Sequence, residues 1–557
     1  MFTTDRIGKW FAAGDVGLRA RDVQFPPGWD AKHAFSKWQV TTRLCRHHHV
    51  DGQAFPDRVD PGPVVGRDGA GEVLGHRAVG PEFGQPRRDD GGDSVAVDAS
   101  GAADVQEIDD LVRGVLPHVG ESPQVRRMRQ VFSVDFSSNS VSCSSVSFMT
   151  GAGVWILGGY QSDFARNLHR EGVDFAGLTV EVVTATLEAA KVDATDIGVV
   201  HVANAFGELF AAQGHLGAMP ATVVDGLWNT PATRHEAACA SGSVATLAAI
   251  ADLRSGAYET ALVVGVELEK TVPGDTAAQH LGAAAWIGHE GQAATFMWPH
   301  MFSAVIDEYD KRYGVDAMHL RAIAQLNFAN ARRNPNAQTR QWTVPDLVTG
   351  RGDDDETNPV VEGRIRRFDC SQMTDGGAGV VLVTDDYLRV HPDAQPVGRI
   401  DGWGHRTVGL GIQQKFDHSA DDPYVMPHVR RAVQDAFTRA RVSLDDLDGI
   451  EVHDCFTPSE YLAIDHIGLT GPGESWKAIE NGELEVGGRL PMNPSGGLIG
   501  GGHPVGASGV RMLLDAAKQV SGTAGDYQVE GATTFGTLNF GGSTSTTVSF
   551  VVGSARE

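Results

Sequence analysis

Two stretches of this chain, 250 residues apart, spell nearly the same element. "DIGVVHVANAF" (residues 196–206) aligns with "DLDGIEVHDCF" (residues 446–456), setting Val200 against Ile450, Val202 against Val452 and Phe206 against Phe456. A second pair follows in the same order. "ASG" at 240–242 opens "ASGSVATLAAIADL", and "ASG" at 507–509 opens "ASGVRMLLDAAKQV". A single shared tripeptide means little in a chain with 68 glycines. Two matches in the same order indicate an internal duplication. The fold is then expected to have two similar halves related by a pseudo-dyad, each packing a small-residue helix between layers.

The segments between these landmarks alternate in period. "GVWILGGY", "DIGVVHVANAF", "ETALVVGVEL" and "AGVVLVTDD" are continuous apolar runs of strand length, while "LTVEVVTATLEAAKV" has the spacing of an amphipathic helix. Buried strands alternating with helices predict an α/β protein with parallel or mixed sheets. Residues 149–390 read as the first half and 391–557 as the second. The stretch from about 270 to 365 has no counterpart in the second half. It carries the charge run "RGDDDETNP" and is expected to be an inserted loop subdomain. Residues 1–148, rich in Gly, Asp, Arg and Pro, show little periodicity and are expected to be loosely ordered, or to precede the true start at Met149. "CRHHHVD" (residues 45–51) is read as a polar loop, because no second ligand cluster at metal-site spacing follows it.

Composition excludes several function classes. A net charge of −25 argues against nucleic acid as the main partner. No apolar run reaches membrane-spanning length, and "MFTTDRIGKWFAAGD" lacks the apolar core of a secretory signal. Five widely spaced cysteines do not form a disulfide framework, so a reducing cytoplasm is the expected location.

Three places carry chemistry. His453 and Cys455 stand two apart at the end of a predicted strand, where both would project to one face. That spacing suits a metal half-site, a catalytic pair or chance. Cys239, in "HEAACASGS", lies just ahead of a helix, and the positive end of the helix dipole there favours a thiolate. A buried, inert cysteine is the alternative, and the nearby Gly242 shifts the reading toward a nucleophile. "NPSGGLIGGGHPVGASG" (residues 493–509) is a glycine-rich loop without a P-loop lysine. It sets His503 between Gly502 and Pro504, making His503 a candidate base.

Together, "CASGS", "HDCF", "NPSGGLIGGGHPVGASG" and the "NFGGS" beginning at Asn539 resemble the thiolase family, over residues 149 to 557. The resemblance is to the sterol-carrier-protein type, which has HDCF in place of the usual NEAF box and asparagine where most thiolases carry a cysteine, here Asn539. It implies duplicated βαβαβαββ halves layered α-β-α-β-α. It also implies CoA-dependent thiolytic cleavage of a 3-ketoacyl-CoA, or the reverse condensation, in lipid or sterol side-chain catabolism. By resemblance Cys239 is the nucleophile, His503 its base and a stabiliser of the enolate, Cys455 the acid/base at carbon, and a second donor to the enolate is held at or through His453. The backbone N–H groups of Cys239 and Gly541 are expected to form an oxyanion hole. Coenzyme A would be a co-substrate, with no permanently bound cofactor and no metal. The resemblance further implies a homodimer or dimer of dimers, and allows a small partner protein. The rivals are a ketosynthase-like condensing enzyme, which would leave Cys455 without a role, and a sterol side-chain retro-aldolase, a group that dispenses with the nucleophilic cysteine. A non-catalytic acyl-CoA or lipid carrier would need none of Cys239, Cys455 and His503.

Overall fold

The computed structural model describes residues 153–349 and 355–555. The N-terminal segment, its helix candidate "DVQEIDDLVRGVL" and "CRHHHVD" therefore lie outside the described residues. The first half runs β1 (Val154–Gln161), α1 (Phe175–Ala190), β2 (Val199–Ala203), β3 (Ala232–His235), α2 (Ser241–Arg254) and β4 (Thr260–Glu267). An insertion follows, with α3 (Gly274–Gly282), α4 (Met297–Tyr313), α5 (Ala317–Ala331) and a small hairpin, β5 (Val360–Glu362) with β6 (Ile365–Arg366). β7 (Gly376–Thr384) closes the half. The second half is β8 (Gly398–Thr407), α6 (Ile412–His418), α7 (Pro427–Ala440), β9 (Gly449–Val452), α8 (Thr457–Ile467), α9 (Val505–Ser521), β10 (Thr534–Gly541) and β11 (Thr546–Gly553).

The duplication is visible in the ladder. Nine strands run in the order β3-β2-β4-β7-β1-β8-β11-β10-β9. β1 and β8 pair antiparallel at Trp155–Arg399 and Ile156–Gly398, and the order outward from this pair is the same on both sides. β2 with β4 and β9 with β10 are parallel, while β4 with β7 and β10 with β11 are antiparallel. The second-half counterpart of β3 is reduced to one parallel bridge, Ile450 to Met492.

The sheet closes on a central helical layer of α2 and α9. Both halves contribute to one core around it, including Ile156, Val263 and Leu382 from the first and Phe535, Val548 and Phe550 from the second. The two ASG motifs meet each other in this layer. A Cβ on Gly509 would lie 2.3 Å from the Ser243 backbone nitrogen, and one on Gly242 would lie 2.7 Å from that of Val510. The repeated glycines are thus each other's contact surface, and a methyl at either position would push the helices apart. α9 is buried except at Lys518 and its last residue, Ser521, so it must satisfy its own charges internally. Arg511 does so with Glu451 and Asp515, at 3.0 and 2.8 Å.

Outer helices complete the five layers. α1 starts at Asp174, whose side chain accepts the Gly177 N–H, and buries Phe175, Leu178, Val182, Val183 and Leu187 at helical spacing against the first half-sheet. Each such side chain contributes roughly 1.5–3 kcal/mol of burial. α7 covers the second half-sheet through bare glycines: a Cβ on Gly404 would lie 1.7 Å from the Ala432 carbonyl oxygen. Within the insertion, α4 and α5 carry apolar stripes that pack on α8 and the second-half core. No described helix is long and apolar enough to cross a membrane.

Candidate active site

Cys239 is placed by a tight turn before α2. Ala238, the residue before it, is held at φ 49°, a left-handed conformation that a non-glycine residue adopts only under constraint. Ser241 supplies that constraint: its Oγ accepts from Ala237 N at 2.9 Å and donates to the Ala238 carbonyl at 2.6 Å. The turn presents the thiol to a mostly apolar cavity of about 310 Å³. Cys455, His503, Glu269 and Gly542 line the same cavity, with an aromatic wall that includes Phe302 stacked on Phe456 at 4.9 Å.

β9 ends at Val452, where the run "DLDGIEV" ends, and His453 N still bonds the Leu538 carbonyl at 2.8 Å. His453 and Cys455 turn toward the site, and Asp454 between them turns away. Asp454 accepts the N–H groups of Leu498 and Ile499, at 2.5 and 3.1 Å, and the Asn327 amide at 3.0 Å. The glycine-rich loop therefore wraps a carboxylate of its own chain. A Cβ on Gly497, at φ 61°, would collide with Asp454 at 2.4 Å. This clamp delivers His503 to the cavity. Asn204, the repeat counterpart of Asp454, is likewise a buried anchor, accepting Gly207 N and donating to Glu267.

A ring nitrogen from each of His453 and His503 and the Cys239 sulfur lie within 4.8 Å of one another. The two rings meet edge to face at 5.3 Å. Their outer hydrogen bonds set different tautomers. Ser508 Oγ donates to the Pro504 carbonyl at 3.0 Å, so it accepts from His503 Nδ1–H at 2.7 Å and leaves a lone pair on His503 Nε2. His453 Nδ1 accepts from Asn539 Nδ2 at 3.0 Å, and Asn539 Oδ1 accepts from Ser243 Oγ at 2.8 Å. His453 Nε2 therefore bears a hydrogen. Both Nε2 atoms are buried without another partner. The site holds one imidazole acceptor and one imidazole donor beside a thiol, and offers a metal ion only one imidazole lone pair.

Burial decides the charge states. It pushes the Cys239 thiol up to about 12, with Glu269 adding to the effect and the Gly542 and Cys239 N–H groups opposing it. The helix-dipole expectation of a resting thiolate is therefore corrected: desolvation outweighs the few N–H groups at the start of α2. Burial lowers His503 to about 3 and His453 well below its ordinary value, and raises Cys455 well above the ordinary thiol range, Cys239 adding to it. At rest both thiols and both imidazoles are neutral. Iodoacetamide alkylation of Cys239, followed by peptide mass, is accordingly expected to rise roughly tenfold per pH unit from about pH 7 to 10. A plateau near neutrality would instead reveal a resting thiolate.

Gly541 closes β10 opposite Thr546, and the backbone N–H that reaches Cys239 belongs to its neighbour, Gly542. Sequence reading also passed over Glu269. Its two oxygens accept Val505 N at 2.8 Å and Thr374 N at 3.1 Å, and Thr374 Oγ1 accepts His503 N at 2.8 Å. Two carboxylates at the end of an otherwise apolar run, Glu267 and Glu269, were its signal. Ser508 and Ser243 carried none, and Asn539 stood out only as the asparagine where most thiolases carry a cysteine, not as the partner of His453.

Comparison with known proteins agrees with this geometry. The model for the thiolase N-terminal domain matches residues 154–386, and that for the thiolase C-terminal domain matches residues 411–554. An acetyl-CoA acetyltransferase of Methanothermobacter thermautotrophicus is 32% identical over 371 residues, covering 66% of this chain and 92% of the relative. Sterol carrier protein 2 of Gallus gallus is 26% identical, over 55% of this chain and 56% of its own length. Among solved structures, an Ltp2-ChsH2(DUF35) aldolase superposes with TM-score 0.57 at 22% identity, covering 73% of this chain and 99% of that one. Human mitochondrial 3-ketoacyl-CoA thiolase in complex with CoA gives 0.54 at 18%, covering 72% and 98%. With both halves matched in order around this Cys–His–His cluster, the chain belongs to the thiolase family.

Proposed function

We propose that the protein is an acyltransferase that cleaves a 3-ketoacyl-CoA with coenzyme A, or runs the reverse condensation, through an acyl group on Cys239. The observation that carries this reading is the pairing of Cys239 with an imidazole lone pair on His503 and an imidazole N–H on His453, in a cavity that Cys455 also lines. As the Cys239 sulfur attacks the ketone carbon, His503 Nε2 takes its proton. The new alkoxide lies at the N–H groups of Cys239 and Gly542, where each donor is worth about 3–4 kcal/mol. The carbon–carbon bond then breaks and leaves the enolate of the shorter acyl-CoA. His453 Nε2–H faces its oxygen, and Cys455 S–H protonates its carbon. In the second half-reaction the Cys455 thiolate takes the proton of incoming coenzyme A, whose sulfur attacks the acyl group. Cys239 leaves and recovers its proton from His503. Each residue ends with the proton it began with, the one that Cys455 gave to carbon being replaced from coenzyme A, and the residues need no metal or bound cofactor.

HDCF and the likeness to sterol carrier protein 2 favour the sterol-carrier-protein type, acting in lipid or sterol side-chain catabolism. A cytoplasmic homodimer or dimer of dimers, with or without a small partner protein, fits the same reading. The test is intact-protein mass after incubation with acetyl-CoA and longer acyl-CoAs. One acyl group per chain, on Cys239, is expected. An unchanged mass with every acyl-CoA would overturn the reading in favour of a carrier or an aldolase.

A further inference from the structure

Lys415 on α6 is buried, with 5% of its surface exposed, and among the described residues it has no ion-pair partner. A buried ammonium without a counter-ion is expensive unless its hydrogens are satisfied. Here they are satisfied by oxygens. Nζ has four oxygens within hydrogen-bond distance for its three hydrogens: the Ser543 carbonyl at 2.8 Å, Ser543 Oγ at 2.6 Å, Ser545 Oγ at 2.9 Å and the Leu410 carbonyl at 2.9 Å. Three of these four oxygens belong to residues 542–545, the turn that joins β10 to β11. That turn bends through two left-handed residues, Gly542 at φ 62° and Thr544 at φ 66°. A β-branched residue resists such a conformation unless held in it. His428 of α7 provides a second tether, with Nε2 3.0 Å from both the Thr544 carbonyl and Thr544 Oγ1. The turn begins with Gly542, which lines the cavity beside Cys239 and whose N–H favours the Cys239 thiolate.

We infer that Lys415 is a positioning residue that fixes the turn after β10, so that the Gly542 N–H stays aimed at the oxygen that becomes negative when Cys239 is acylated. This rests on the acyl-enzyme reading above. A preorganised N–H donor contributes only while it is held in place, and Lys415 grips the residue next to it. Methionine would fill the space of the lysine stem and leave the Ser543 and Ser545 oxygens without their donor.

Two reactions of the same sulfur separate this role from general damage. Acylation by acetyl-CoA builds an oxyanion, whereas alkylation by iodoacetamide does not. For Lys415→Met, the single-turnover acylation rate, read by intact-protein mass, should fall roughly 30- to 300-fold. Alkylation of Cys239 should fall by no more than about threefold, because it needs no oxyanion hole and loses only the share of thiolate stabilisation that the Gly542 N–H supplies. Ser543→Ala, a gentler variant, removes one acceptor and should slow acylation roughly 3- to 10-fold with the same split. Wild-type acylation in Lys415→Met, or parallel loss of acylation and alkylation in both variants, would overturn this inference alone. A wild-type protein that takes up no acyl group would overturn it together with the acyl-enzyme reading.

Discussion

Cys239→Ala is expected to take up no acyl group from any acyl-CoA and to lose thiolysis and condensation together, by about 10⁴-fold or more. Among the described residues two other thiols, Cys455 and Cys370, line the same cavity, but neither belongs to the Cys–His–His cluster, and Cys370 donates its S–H to the Arg366 carbonyl at 3.3 Å. The two imidazoles converge on Cys239, with His503 as the only acceptor between them. Intact-protein mass and steady-state thiolysis on the same preparation check this. Thiolysis well above background in the alanine variant would sink the nucleophile assignment and raise the aldolase and carrier readings.

Cys455→Ala is expected to divide the chemistry. Acylation of Cys239 by a simple acyl-CoA should persist, since it requires the thiol, His503 and the oxyanion donors but no acid at carbon. Carbon–carbon cleavage and formation should fall roughly 100-fold or more, the usual scale for losing a positioned acid/base. Exchange of the α-protons of acetyl-CoA with deuterated water should fall in parallel. If all three rates stay near wild type, Cys455 is packing and the ketosynthase reading gains. Equal loss of all three would show that Cys455 supports Cys239 itself. The raised thiol of Cys455 suits the assignment, because a group that protonates carbon must hold its proton until the enolate forms.

The repeat in the sequence was enough to predict two α/β halves, because a duplicated strand–loop–helix segment reproduces its local pattern wherever it folds. β1, β2, β4 and β7 were legible as continuous apolar runs, since buried parallel and mixed strands have no polar face to alternate with. β8 was not. "GRIDGWGHRT" looks like a loop, and it is a strand because Gly402 and Gly404 let α7 lie directly on the backbone between β1 and β11. Likewise, α4 and α5 of the insertion form where α8 covers their apolar stripes.

The candidate site divides the same way. Cys239, His503, His453 and Cys455 stand in short motifs whose residue types are themselves the chemistry, so the sequence determined which groups could act. The tertiary structure decided the state in which they act. It assigned the acceptor imidazole to His503 through Ser508 and the donor imidazole to His453 through Asn539 and Ser243. It bound the glycine loop to Asp454, moved the reaching N–H to Gly542, and raised the Cys239 thiol that the helix dipole alone would have lowered. The reason is physical. A motif is local, but desolvation and hydrogen bonding depend on every group packed around a side chain, and the partners here come from as far as 296 residues away, the separation of Ser243 and Asn539.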